Sequence, residues 1–132
     1  MNRIEGENLV RKRADIVGRW GEEKATLYLM EQGYQILCQN YWTKHGEIDI
    51  IAQHGNTIIF VEVKTRRSLA YGSGIEAITR KKLQRIRKAA THYLTSSATF
   101  YNDIRLDMID IFISKEGTRS TYRVKHIQHI DS

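Results

Sequence analysis

Two short apolar runs, Gly46-Glu47-Ile48-Asp49-Ile50-Ile51-Ala52 and Ile58-Ile59-Phe60-Val61-Glu62-Val63-Lys64, place charged side chains where the core of a strand normally excludes them. A charge held in such surroundings needs a partner or a function. Between the runs lies Gln53-His54-Gly55-Asn56-Thr57, whose Gly and Asn tolerate the positive φ that tight hairpin turns demand. The runs therefore read as one antiparallel hairpin. Alternation along a strand puts Glu47 and Asp49 on one face, and Glu62 and Lys64 on one face of the next strand. If Gly55-Asn56 is a two-residue turn, His54 pairs with Thr57, and the same register sets Asp49 opposite Glu62 and Glu47 opposite Lys64. Directly opposed side chains lie about 4.5–5.5 Å apart at Cβ, close enough for two carboxylates to share one divalent cation. A three-residue turn would slip the pairing by one and send Asp49 to the wrong face.

The ordinary reading of alternating Glu and Lys is a solvated strand face, with cross-strand ion pairs of about a few tenths of a kcal/mol each. Val61–Lys64 alone fits it. However, Asp49 lies within Ile48-Asp49-Ile50-Ile51 and Glu62 within Phe60-Val61-Glu62-Val63. Like charges opposed across a ladder are destabilising unless a cation or proton sits between them. The pair thus favours a metal site.

The rest of the chain supplies an α/β frame. At 132 residues it is long enough for one domain with a real core, 1–132, with a helical N-terminal arm expected over 1–17. Gly18–Gln32 has helical spacing, with Ala25, Tyr28 and Leu29 on one side, and Gly33 ends it. Tyr34–Tyr41 reads as a first strand, 66–74 as a loop, and Ile75–Leu94 as the strongest helix. In that helix Leu83, Ile86, Ala90, Tyr93 and Leu94 share a face, with Lys81, Arg85 and Lys88 opposite. Strands over 104–114 and 121–130 complete a mixed central sheet. Residues 64–88 hold nine basic side chains against one acid, Glu76. Starting at the charged hairpin, this block is the electrostatic footprint expected for a phosphate backbone and nominates Arg66, Arg67, Lys81, Lys82, Arg85 and Lys88 as nucleic-acid contacts.

Other features exclude more than they assign. The single Cys38 allows no intramolecular disulfide and reads as a core filler. No apolar run approaches the ~20 residues of a membrane span, and the N-terminus lacks the apolar stretch of a secretory signal, so a cytoplasmic setting without membrane association is expected. His126 and His129, three apart in an expected strand, point to opposite faces and make a poor zinc pair. Asp107 and Asp110 fall on opposite faces of a strand, with Arg105 a partner for one of them. Tyr41-Trp42 reads as core or rim packing, with base stacking the less common use.

The order of these residues carries a resemblance. An acid on an early helix, an Asp on a strand and Glu-x-Lys on the next resemble the PD-(D/E)XK nuclease superfamily, in particular its Holliday-junction-resolvase-like branch. Gly18-x-x-Gly21-Glu22-x-x-Ala25-x-x-Tyr28-Leu29, Gly33-Tyr34-x-Ile36-Leu37, Gly46-Glu47-Ile48-Asp49, Val61-Glu62-Val63-Lys64, and Lys82 followed by Ala89-Ala90 resemble the YraN-like family of small bacterial endonuclease-like proteins. Unlike the motif in the superfamily's name, no Pro precedes Asp49, as is common in that branch. The resemblance implies a restriction-endonuclease-like core and hydrolysis of DNA phosphodiesters with Mg²⁺ or Mn²⁺, with branched or otherwise structured DNA among the candidate substrates and RNA left open. Asp49 and Glu62 are the hard oxygen ligands such ions take, Lys64 would orient the attacking water or neutralise developing charge, and Glu22 is the helical acid. Glu23 is the rival for Glu22's role. Glu47 either reaches the metal through water or pairs with Lys64. Lys82 matches the family's helix lysine, although its place beside the apolar stripe reads as snorkelling. A resolvase-like enzyme must cut two strands, which fits a homodimer. The competing class is a non-catalytic nucleic-acid-binding protein that keeps the nuclease fold.

Overall fold

The computed structural model describes residues 5–67 and 78–131, with side chains from residue 16 onward. Its elements in chain order are α1 (Glu5–Glu31), β1 (Gln35–Thr43), β2 (Gly46–His54), β3 (Thr57–Arg66), α2 (Arg80–Ser96), β4 (Asp103–Glu116) and β5 (Arg119–Ile127). None of its helices is long and apolar enough to cross a membrane.

The hairpin forms as the turn chemistry requires. His54 pairs with Thr57, and the β2–β3 ladder runs from there to Ile50–Val61. Gly55 takes φ 61°, as the first central residue of a type II′ turn must. The five strands lie in the order β1-β2-β3-β4-β5. Only β3 and β4 are parallel. Parallel neighbours need a long crossover, and α2 supplies it.

One helix covers each face of the sheet. Ala25 and Leu29 of α1 pack on Ile50, Ala52, Ile59, Val61, Ile109 and Ile111. Ile86, Ala89 and Ala90 of α2 pack on Ile48, Ile51, Ile58, Phe60 and Leu106 on the other side. Strands buried on both faces become nearly continuous apolar runs, which is why Ile50–Ala52 and Ile58–Val61 show little polar alternation.

Helix termini explain most boundaries. Gly33 (φ 89°) ends α1: its N–H bonds the Met30 carbonyl at 3.0 Å while the Tyr34 N–H reaches back to Leu29 at 2.9 Å. That is a Schellman closure, and Tyr34 and Leu29 share the core cluster beneath it. The segment expected as a separate N-terminal arm is continuous with α1 from Glu5. For the helix expected over Ile75–Leu94, 75–77 lie outside the described residues, and Ile78 and Thr79 precede the first helical turn. Thr79 caps α2, its hydroxyl accepting the Lys82 N–H at 3.1 Å. A polar cap outranks the apolar spacing upstream. β5 stops at Ile127 rather than Ile130, because His129 turns the chain (φ 55°) and Ile130 bonds the Leu106 carbonyl at 2.9 Å.

One close approach sets the position of α1. A Cβ on Gly21 would lie 1.8 Å from Thr65 Oγ1 and 3.0 Å from Thr65 Cβ, so only glycine lets the helix lie this near β3. Threonine is stiff at χ1 and cannot swing clear freely. Gly21→Ala is therefore expected to destabilise the fold by about 1–3 kcal/mol in denaturant titration, despite alanine's higher helix propensity. Adding Thr65→Ala, which removes Oγ1 but keeps the Cβ 3.0 Å away, should recover part of that loss, and a double-mutant cycle showing no coupling would contradict the contact.

Candidate functional site

The β2–β3 ladder closes at Ile50–Val61, and one further step in the same register sets Asp49 opposite Glu62. There a side chain replaces the backbone partner, since Asp49 Oδ2 accepts the Val63 N–H at 2.8 Å. Asp49 is pushed up to about 8, first by burial and then by the charge of Glu62. The Val63 N–H pulls it down, while Glu22 and Glu47 push it further up. Four carboxyl groups from three elements thus act on one point. Glu22 rather than the exposed Glu23 is the α1 acid whose field reaches Asp49, and it follows directly on Gly21, where the helix touches β3.

Asp49, Glu62 and Glu47 line one side of a cleft of ≈ 520 Å³, and Thr79, Lys81, Lys82, Arg85 and Ile86 line the other. The β1–β2 turn backs onto α2, where a Cβ on Gly46 would meet Arg85 Cβ at 3.4 Å. Cations dominate the first turn of α2, which has no acid to complement the helix dipole. Lys82 does not snorkel to solvent: its Nζ lies 2.7 Å from Glu62 Oε1. The apolar stripe put Lys82 at its edge, but sequence could not show that a buried acid stood within reach.

Lys64 lies one pleat beyond Glu62 on β3, half-buried, and is not among the residues lining the cleft. It is level with Asp110 in the parallel β3–β4 pairing. The β2–β3 ladder closes before Glu47, whose partner is Trp42 on β1, so strand pairing does not carry Glu47 to Lys64 as the register had implied. Arg66 is not a free cation for a ligand. Its guanidinium forks onto Asp110 at 3.2 and 2.9 Å, with the side chain 11% exposed. Arg67 and Lys88 are exposed and do not line the cleft. Among the described residues no three His, Cys, Asp or Glu side chains are positioned to hold a metal ion as they stand. The Lys82 ammonium already binds Glu62, and Val63 holds one Asp49 oxygen.

In a second polar network, sequence reasoning offered Arg105 as a partner for Asp107 or Asp110 but missed the residues around that pair. Arg105 forks onto Asp107 at 2.8 and 2.9 Å and also donates to the Tyr34 hydroxyl at 2.8 Å. His126 Nε2 lies 2.7 Å from Asp107, its Nδ1 lies 3.1 Å from the Tyr28 hydroxyl, and the His129 N–H reaches Asp107 at 3.3 Å. Burial alone would raise Asp107, yet the bonds from His126 and Arg105 hold it below its ordinary value. The network ties α1, β4, β5 and the chain beyond β5 together. Only the Arg105-x-Asp107 spacing hinted at it. His126 and His129 do face one acid, through a ring and a backbone N–H, because His129 has left the strand.

Similarity to known proteins spans the elements that build the cleft. The model of the family described as "Uncharacterised protein family UPF0102" matches residues 21–111. A UPF0102 protein of Syntrophomonas wolfei is 44% identical over 97 residues, covering 74% of this chain and 84% of that one. Another from Alkaliphilus metalliredigens is 45% identical over 100 residues, covering 76% and 88%. A third from Rhodococcus jostii is 43% identical over 112 residues, covering 85% and 92%. The part of α1 from Gly21 onward, the charged hairpin, the cationic helix and most of β4 fall inside the matched span, and the chain belongs to the UPF0102, or YraN-like, family.

Proposed function

We propose that this protein is a metal-dependent nuclease with a restriction-endonuclease-like core, hydrolysing phosphodiester bonds in DNA. One observation carries the reading: Asp49, pushed up to about 8 by burial and by Glu62, Glu22 and Glu47, faces the cationic start of α2 across an open cleft. A cluster of carboxyl groups beside cations suits a substrate that is itself anionic and arrives with a metal ion. The order of Glu22, Asp49, Glu62 and Lys64, which resembles the PD-(D/E)XK pattern, supports the same reading.

The donor set fits Mg²⁺ or Mn²⁺, since all four acids offer hard oxygens and a cation would relieve their mutual repulsion. Asp49 and Glu62 would hold the ion, with Glu22 and Glu47 around it. When bound, the ion would lower the pKa of a coordinated water and offset charge growing at phosphorus. Lys81 and Arg85, at the helix N-terminus, orient the phosphate backbone over the cleft. Lys64 supplies an ammonium on the Glu62 face to orient the attacking water. Lys82 holds Glu62 in place before the substrate arrives.

The Lys82–Glu62 pair also favours a second reading, a nucleic-acid-binding protein in which a lysine stands where a metal would. The two separate on calorimetry with Mn²⁺. Wild type is expected to bind the ion and the Asp49→Ala/Glu62→Ala variant to give no heat, whereas equal heats from both would leave only the binding protein.

The raised Asp49 also fixes a pH dependence. The folded state holds its proton up to about 8 while the unfolded chain releases it near 3.8, so the metal-free protein binds the extra proton between those values and loses stability as pH rises through them. Thermal melts without metal are expected to decline over that window. Asp49→Asn should flatten the decline and Mn²⁺ should reverse it; a decline unchanged in Asp49→Asn would remove Asp49 as its source. In Mg²⁺ or Mn²⁺ assays, Lys64→Ala is expected to keep DNA affinity while turnover falls about 100-fold or more. Changing Lys81, Arg85 and Lys88 together should weaken binding and flatten its salt dependence by about one unit for each phosphate no longer neutralised.

A further inference from the structure

Trp42 is 73% exposed, and its neighbour Tyr41 turns the other way, packing edge-on against Tyr93 with ring centroids 5.3 Å apart. The pair is thus split between core and solvent. An indole so exposed is an apolar surface left outside the fold, and its mounting is firm. The Thr43 hydroxyl donates to the Gly46 carbonyl at 3.0 Å and accepts the N–H groups of His45 and Gly46 at 3.1 and 3.2 Å, locking the turn beyond it. Trp42 stands directly opposite Glu47 in the β1–β2 ladder, and Glu47 and Gly46 line the cleft with Lys81 and Arg85 across from them.

An exposed aromatic plane on a fixed backbone turn, beside a cleft whose far wall is cationic, matches a nucleotide, with the base on the ring and the phosphate on the ammonium and guanidinium groups. We infer that Trp42 is the stacking platform for an unpaired base next to the cleft, so that this protein takes nucleic acid containing at least one unstacked nucleotide, as a single strand, flap or gap. A base inside an intact duplex has both faces covered by its neighbours and offers none to the indole. The inference rests on the reading of the cleft as a phosphodiester site and narrows its substrate class.

The full chain carrying Trp20→Phe keeps a ring against Tyr122 and leaves Trp42 as the sole indole. In EDTA, where no cleavage can intervene, it is titrated with oligothymidylate, a gapped duplex and a blunt duplex. Single-stranded and gapped DNA are expected to quench the Trp42 emission, and the blunt duplex to leave it nearly unchanged. In the otherwise native chain Trp42→Ala should weaken binding of the first two about tenfold or more and of the blunt duplex less than about twofold, with Trp42→Phe restoring most of the loss. Equal effects on all three nucleic acids, or unquenched emission on binding, would overturn the stacking role while leaving the nuclease reading intact. Failure of all three to bind in EDTA, and again when Mg²⁺ is restored, would remove the nuclease reading and the stacking role together, leaving the indole as a protein contact.

Discussion

The Asp49 carboxyl replaces a rung of the β2–β3 ladder, and the rest of the site depends on that substitution. By accepting the Val63 N–H at 2.8 Å it satisfies a donor where direct strand pairing ends at Ile50–Val61. A backbone carbonyl would do that without charge. An Asp there keeps the strands joined while bringing a carboxyl into a buried position beside Glu62, and the stability it gives through the hydrogen bond opposes the repulsion it creates. Burial first, and then this repulsion, raise Asp49 far from its ordinary value, against the pull of the Val63 N–H.

The two helices then bring opposite charge to that point from opposite faces of the sheet. α1 can bring Glu22 close because Gly21 leaves no Cβ against Thr65. α2 places Arg80, Lys81 and Lys82 in its first turn, where the helix dipole disfavours cations by about 0.3–1 kcal/mol each. Helix stability alone would select acids there. The Lys82–Glu62 pair offsets part of the cost, while Lys81 and Arg85 are left facing the cleft.

Much of this was legible because the decisive signals are local. The Gly55-Asn56 turn set the hairpin register, and period-two alternation then put Asp49 and Glu62 on one face. Gly33 and the apolar spacing located α1, and the parallel pairing needed only a crossover long enough to hold a helix. What escaped was set by contacts distant in sequence. Arg66 belonged by charge to the basic block, but its fate depends on Asp110, 44 residues away. Lys82 resembled an amphipathic edge residue until Glu62 came within reach. Charge counting gives the field around a chain segment and cannot say which charges the fold has already paired.

Pairing separates Asp107 and Asp110 from the acids of the cleft. Asp107 and Asp110 are as buried as any core residue, at 0% and 4% exposure, yet each is met by a forked guanidinium. Asp107 is held below its ordinary value by the bonds it accepts. Asp49 has other acids as its nearest charges and moves the other way. Asp49, half-buried in the wall of the cleft, is less enclosed than either, so burial alone marks no site. A carboxyl raised first by burial and then by neighbouring acids is an arrangement that folding does not need, because an asparagine could accept the Val63 N–H equally well. It stands beside a cleft with cations on the far wall, where the proposed metal ion would relieve the repulsion among the acids.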